Sequence, residues 1–515
     1  MATSTLTTTP RTSTSGQQSA VLLLTTVGTL MVAIDSTIVI LALPTMAREL
    51  GSPISSIIWT ILLYLLITAA LTTQAGRLGD MFGRGMVYNA GFAVFTIGSA
   101  LCGFAPNDTT LIAFRGVQAI GGALVFANSG ALIASVFPPE GRARAFGFLV
   151  FGWSVGAILG ILLGGVITTE FGWRYIFFIN IPIGVVAVAL GLRSLPRTAR
   201  QRTGFDPAGF ALFSLMLTLL CYGMIEVAVY GVTALNIAYI VVGLLLLPVF
   251  AFVELRTREP MLELRALKNR LLGFSLIAGF LQALGFLSVV FLLTLFLQGV
   301  RGLTPLDASL LLVPGYLLGA VAGPSMGKYV NRYGARALAT LGIVLMMGAV
   351  LAYATLDTAS WLGWIPIISL LSGIGSGMFY PANNTAIMSQ ASPQTFGAIS
   401  GLRATLANMG TLLSLVLSLT IASAAIPRSI AYEVFLGTTN LVGGVSVQFV
   451  TGIHAALFGS VGILAVAAFL SWSRGKDRQP VEATAAASAD NVPAAGIPES
   501  GARDATSASP VARGP

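Results

Sequence analysis

The amino-acid sequence predicts an all-helical membrane protein of fourteen spans, and three observations carry that prediction. Apolar residues make up 55% of the 515-residue chain and charged residues only 9%, whereas a soluble domain carries about 25% charged residues. The apolar segments recur at lengths near the roughly 20 residues that cross a hydrocarbon core. None alternates like a barrel strand, which leaves helices as the only way to satisfy the backbone in lipid.

The first 18 residues are Ser/Thr-rich and lack the charged start and short apolar core of a cleaved signal, so Ala20 to Leu43 reads as a retained span. Further spans are expected over 54–75, 86–105, 110–136, 146–168 and 174–194, then 208–228 and 234–253. A last group covers 271–298, 308–327, 337–356, 362–388, 397–424 and 450–472. Residues 473–515, rich in Ala, Pro, Ser and Gly, read as a disordered tail.

Loop charge tests this topology. With the N-terminus placed in the cytoplasm, inside segments up to residue 478 hold 20 Lys and Arg. Outside loops hold four, Arg48, Arg174, Arg301 and Arg428. Such an asymmetry orients a membrane protein with both termini inside, in the cell membrane. It also explains the formal charge of +9 without nucleic acid as a partner.

An internal repeat divides the spans. Gly76-Arg-Leu-Gly-Asp-Met-Phe-Gly83 resembles Gly327-Lys-Tyr-Val-Asn-Arg-Tyr-Gly334 at an offset of 251 residues, with Asn331 in place of Asp80. Gly121 to Gly147 lines up with Gly375 to Gly401 at an offset of 254. The expected organisation is a disordered cytoplasmic N-terminus (1–18), a six-helix bundle (19–195), cytoplasmic linkers with two inserted helices (196–265), a second six-helix bundle (266–472) and a disordered cytoplasmic tail (473–515). Parallel repeats about an axis along the membrane normal are a transporter architecture, with the solute at the midplane between the halves.

Asp35 is the sharpest single signal, because a carboxylate near the bilayer centre costs about 2.5–3.5 kcal/mol on insertion scales and usually marks an ion or proton pathway. Arg115 lies at matching depth in the fourth span, with Gln118 one turn on. A proton-coupling pair and a permanent buried ion pair are both open readings. Gly76, Arg77, Asp80, Gly83 and Arg84 form a candidate gating loop, in which glycines permit a tight turn and Asp80 caps a helix start. Gly152, Gly156, Gly160 and Gly164, with Gly165, pave one face of the fifth span for close helix packing. Trp59, Tyr64, Gln118, Gln282, Phe286, Gln298, Tyr380, Asn383 and Asn384 are candidate cavity residues, with helix packing as the competing reading. Arg403, two turns into its span, is expected to snorkel to the cytoplasm. Cys102, Cys221 and the single histidine, His454, are scattered, so neither a metal site nor a disulfide framework is expected.

These motifs resemble the major facilitator superfamily over nearly the whole chain. Gly76 to Arg84 looks like its motif A, Arg115 to Gly121 its motif B, and the glycine run of the fifth span its motif C. The likeness is strongest to the fourteen-helix drug:proton antiporter branch (EmrB/QacA type), through Asp35-Ser-Thr-Ile-Val, Ala42-Leu-Pro44, Gly172-Trp-Arg-Tyr-Ile-Phe-Phe-Ile-Asn-Ile-Pro-Ile-Gly184, Gln298 and Pro314. The resemblance implies the major facilitator fold, arranged as 6+2+6 with two pseudo-symmetric halves. It also implies proton-driven export of hydrophobic, often cationic compounds, with Asp35 titrating and Arg115 assisting. Ile161 stands where motif C carries a proline, and Ile40 where the first-helix signature carries an asparagine. Direction of coupling and substrate therefore stay open. The leading expectation is a monomeric exporter of drugs or amphipathic metabolites that uses the proton gradient and no cofactor. A proton-coupled permease, a transporter-like sensor and, more remotely, a polytopic membrane enzyme are the alternatives.

Overall fold

A computed structural model describes residues 15–196, 206–258, 260–390, 396–424 and 445–475. Of the segments expected to be disordered, residues 15–18 and Ser473 are helical instead. The part of 1–18 before residue 15 and the tail after 475 lie outside the described residues, as do Arg428 and the side chain of Asn331. Among the described residues fourteen helices are long and apolar enough to cross a membrane. In chain order they are α1 (Ser15–Leu50), α2 (Ser55–Phe82), α3 (Arg84–Gly103), α4 (Asp108–Val136), α5 (Pro139–Glu170), α6 (Tyr175–Ser194) and α7 (Pro207–Tyr230). The remainder are α8 (Ala234–Arg256), α9 (Arg270–Val300), α10 (Pro305–Tyr333), α11 (Ala335–Tyr353), α12 (Trp364–Met388), α13 (Phe396–Ala424) and α14 (Val445–Ser473).

Local chemistry sets several helix starts. The first backbone N–H groups of a helix have no intrahelical acceptor, so short polar side chains supply one. Asn107 and Thr110 form a reciprocal capping box at α4, Asp206 accepts from Gly209 N at α7, and Thr304 accepts from Asp307 N at α10. One boundary departs from expectation. The first span was expected to end at Leu43, yet α1 continues through Pro44 to Leu50. A proline ring opens the hydrogen-bond ladder one turn below it. There Leu41 O accepts from Gln298 Nε2 of α9 at 3.1 Å, so a side chain from the other half meets the weakened turn.

Helix packing repeats between the two halves. In the first, α1 packs on α5, α2 and α3 on α4, and α3 on α6. In the second, α9 packs on α13, α10 and α11 on α12, and α11 on α14. Two seams join the halves, α5 against α10 and α2 against α13. The inserted helices α7 and α8 pair with each other, and α7 also lies against α13 and α2. Much of α8 is uncovered, with Leu244, Leu245, Leu247 and Val249 exposed, as suits a lipid-facing helix.

Loop arginines cluster at the end of the bundle that holds the α2–α3 turn, here the basic end. The inserted pair is tied to the core there. Arg77 Nη2 of α2 donates to Pro260 O, and Gln74 Nε2 reaches Asp206 O at 3.5 Å. Asp206 also accepts from Met261 N at 3.1 Å, and Glu254 accepts from Leu262 N at 3.0 Å.

Candidate functional site

Asp35 and Arg115 meet. Arg115 Nη1 donates to Asp35 Oδ2 at 2.8 Å, and both side chains are fully enclosed, at 1% and 0% exposure. Gln118, one turn along α4, closes the group by donating from Nε2 to Asp35 Oδ1 at 2.8 Å while its Oε1 accepts from Arg115 Nη1 at 2.7 Å. Arg115 Nε donates to Thr60 O of α2 at 2.9 Å. The Tyr64 ring lies 4.2 Å from the guanidinium carbon, a cation–π distance. Ser99 of α3 accepts from Gln118 Nε2 at 3.1 Å and from Asn180 Nδ2 of α6 at 3.0 Å. One buried carboxylate is thus held by a network that reaches five helices. A buried ion pair is stable only when its remaining donors and acceptors are also met, and here both carboxylate oxygens are.

The candidate gating loop is mostly helix. α2 runs to Phe82 and α3 starts at Arg84, so the turn is Gly83 alone, with φ 103°. Asp80 therefore lies inside α2 and caps nothing; its carboxylate pairs with Arg84 Nε at 2.8 Å, one turn on. Arg84 Nη1 also donates to Ala131 O of α4 at 3.1 Å, pinning the turn to a third helix. Gly79 is required by close approach, because a Cβ there would lie 1.8 Å from Asn128 Oδ1. Gly76 is not required, since a Cβ there meets open space. The repeat reproduces the turn, with Gly334 at φ 82° between α10 and α11.

The glycine run packs within the first half. Cβ atoms at Gly152, Gly156, Gly160 and Gly164 would fall 2.6–2.9 Å from the backbone oxygens of Thr26, Leu30, Ile34 and Ile38 of α1. Gly165 alone faces the other half, where Pro305 O and Ser309 of α10 occupy the space. Ile161 is fully buried beside this face.

The cavity candidates separate into groups. Tyr64 and Gln118 belong to the ion-pair network. Trp59 meets the inserted helix, its ring 6.5 Å from Tyr222. Gln298 sits in a π-helical turn at the end of α9 and bridges to α1. Asn383 is a packing tie, donating to Ser275 O at 3.1 Å and accepting from Arg474 at 3.1 Å. Asn384 is partly buried on the same helix. Gln282 is buried with its amide near Met346 Sδ at 3.6 Å, and Phe286 is partly buried one turn on. Tyr380 of α12 interacts with Gln282 of α9, Arg403 of α13 and Tyr316 of α10. Arg403 is only partly enclosed, and its charge lies within electrostatic reach of Tyr380. Tyr316 escaped the sequence reading; its signal is a polar aromatic directly after Pro314 and Gly315, within an apolar span. His454 reaches Leu356 O at 2.6 Å. Among the described residues no cluster of His, Cys, Asp and Glu has a metal-binding arrangement.

Comparison with known proteins shows the family and the fold. The family model described as Major Facilitator Superfamily matches residues 25–415. The riboflavin transporter RibZ of Clostridioides difficile (strain 630) is 31% identical over 395 residues, covering 76% of this chain and 86% of its own. The tetracenomycin C resistance and export protein of Streptomyces glaucescens is 30% identical over 409 residues, 78% of this chain and 75% of its own. The multidrug resistance protein Stp of Mycobacterium tuberculosis (strain CDC 1551 / Oshkosh) is 28% identical over 489 residues, 88% and 91% of the two chains. Among solved structures, an inward-facing, unoccupied bacterial homologue of the human lysosomal transporter Spinster superposes with a TM-score of 0.59 at 17% identity, covering 90% of this chain and 97% of its own. The nucleoside transporter NupG superposes with a TM-score of 0.60 at 12% identity, covering 89% and 100%.

Proposed function

The chain belongs to the Major Facilitator Superfamily, and from that premise we propose that it is a proton-coupled exporter of drugs or other amphipathic small molecules, working by alternating access. The observation that carries this reading is the enclosed Asp35–Arg115–Gln118 network. Membrane interiors hold such a carboxylate at a cost, and proton pathways are where that cost is met. The export protein and the multidrug resistance protein among the relatives support the direction.

The chemistry follows from the contacts. A guanidinium does not deprotonate, so Asp35 is the member that titrates. A proton arriving at Asp35 cancels the charge facing Arg115. Arg115 then keeps only neutral acceptors, Gln118 Oε1 and Thr60 O, and the hold between α1 and α4 weakens. Loss of the proton restores it. Each protonation state thereby favours a different packing of α1 on α4, which is the requirement for coupling a proton to a conformational change. The basic end faces the cytoplasm of the cell membrane, with both termini inside. The unit is a monomer that handles protons and one small-molecule substrate at a time, with no cofactor.

A second reading, export or uptake of one specific metabolite, is favoured by the likeness to the riboflavin transporter. Reconstituted vesicles loaded with a substrate panel test both. Efflux that rises with an imposed inward proton gradient is expected, and flux indifferent to the gradient would sink the coupled reading.

A further inference from the structure

The two arginines placed well inside spans, Arg115 and Arg403, are in opposite circumstances. Arg115 has a carboxylate, an amide and a carbonyl around it. Arg403, seven residues into α13, has none of these: among the described residues it makes neither an ion pair nor a hydrogen bond. Its side chain is only partly enclosed. Two residues on, Thr405 Oγ1 lies 2.9 Å from Thr73 Oγ1 of α2, and a Cβ at Gly401 would lie 3.7 Å from the same oxygen. The turn that carries Arg403 is therefore against the other half.

Tyr380 stands on the neighbouring helix. Its side chain is 42% exposed, and Gln282, Tyr316 and Arg403, from three other helices of the second half, lie within electrostatic reach of its phenol. An amide, two phenols and a guanidinium from α9, α10, α12 and α13 thus belong to one electrostatic neighbourhood. Asp307 and Asp357 are the acidic residues described in the second half, and both lie at or beyond helix ends remote from Arg403. An unpaired cation away from bulk water is costly, and a mobile anion can remove that cost each time it binds.

We propose that Arg403, Tyr380, Tyr316 and Gln282 form a substrate site for aromatic carboxylates. In that site Arg403 binds the carboxylate through its planar fork. Tyr316 and Tyr380 flank the ring system, and the enclosed Gln282 backs the Tyr380 phenol. The proposal deepens the exporter reading and rests on it, because it names the solute class that enters the central pathway. It departs from the cationic solutes that the sequence resemblance implies.

The test is binding of three isosteric probes, 2-naphthoate, 2-naphthamide and a naphthyl trimethylammonium, to the full chain in nanodiscs without a proton gradient. Naphthoate is expected to bind best to the wild type. Arg403→Gln should weaken naphthoate roughly tenfold or more and leave naphthamide unchanged, which also shows that the variant is folded. Arg403→Lys should retain part of the preference, and it serves as the folded comparison should Arg403→Gln lose naphthamide as well. No naphthoate binding, a wild type that does not prefer it to the amide, or a preference that survives in Arg403→Gln overturns the site. Flux that ignores the proton gradient while the binding preference persists removes the coupling reading alone.

Discussion

The two halves share a helix plan but solve their central contacts with different chemistry. The offset of 251 residues that superposes the two α2-type turns takes Asp35 to Phe286, and the offset of 254 takes Arg115 to Ser369. The second half therefore lacks the ion pair at the matching positions, and Ser369 satisfies itself by donating to Pro366 O at 2.7 Å. The same offset takes Gly156, Gly160 and Gly164 of α5 to Gly410, Ser414 and Ser418 of α13. Ser414 Oγ accepts from Ser288 N at 3.0 Å, and Ser418 donates to Ser288 Oγ at 2.6 Å, sealing the break in α9 at Leu287. Gly410 keeps the backbone approach of the first half, since a Cβ there would lie 2.7 Å from Phe280 O, but at the next two positions hydroxyl pairing by Ser414 and Ser418 replaces the approach that Gly160 and Gly164 make on α1. Because the second half folds to the same plan without Asp35 and Arg115, the fold does not need them. A costly element that the fold does not need points to function.

The largest effect should come from breaking the pair on one side. Asp35→Ala is predicted to cost about 3–5 kcal/mol, because it leaves the Arg115 cation buried and uncompensated. The Asp35→Asn and Arg115→Gln double variant, neutral like its second-half counterpart, should recover much of that loss in thermal unfolding while coupled transport stays absent. A double variant as unstable as Asp35→Ala, or one that still couples, breaks the comparison. Arg115→Lys should impair transport despite its unchanged charge, because an ammonium does not span Asp35, Gln118 and Thr60 O together. Normal flux in that variant argues against a geometric role.

Next are the helix seams. Gly160→Ala places a methyl 2.7 Å from Ile34 O, a backbone atom, and is expected to cost roughly 1–3 kcal/mol. Ser414→Ala, at the matching position, leaves Ser288 N–H without its acceptor but introduces no clash, and about 1 kcal/mol is expected. Unfolding midpoints of the two variants in one detergent give the comparison directly. A larger loss at Ser414 reverses the assignment of backbone approach to Gly160 and hydroxyl pairing to Ser414.

Much of this was legible before any coordinates, and the reasons are physical. Span number and order follow from apolar length, which the bilayer dictates. Asp35 and Arg115 stood out because charge is rare in lipid, and their equal depth allowed the contact that the structure shows. Turn geometry was not legible: Asp80 looked like a cap because helix ends at a one-residue glycine turn leave no polar spacer in the sequence. The end of α1 was misplaced because a proline in a membrane helix can be supported by a side chain distant in sequence, here Gln298. For Trp59 and Asn383 cavity lining and helix packing both stayed open, because residue type alone does not say which neighbour a helix face meets. Tyr316 was overlooked because its role depends on the convergence of α9, α12 and α13 around it.

The smallest effect separates the two inner glycines of the α2 turn. Gly79 has Asn128 Oδ1 where a Cβ would be, and Asn128 Nδ2 donates to Ala75 O at 3.0 Å and Leu124 O at 2.9 Å. Gly79→Ala must displace that amide and break at least one of its two bonds, so a loss of about 1 kcal/mol or more is expected. Gly76 has no such neighbour, and its helical setting favours alanine, so Gly76→Ala should be neutral or stabilise by about 0.5–1 kcal/mol. The motif would then contain one glycine that the packing demands and one that it tolerates. If flux falls in Gly76→Ala while the unfolding midpoint holds or rises, the flexibility of that turn matters to gating, and the resting contacts alone do not set the rate. If both variants unfold at the wild-type midpoint, the Asn128 contact gives way without cost, and Arg84 with its Asp80 and Ala131 partners is what holds α2 to α4.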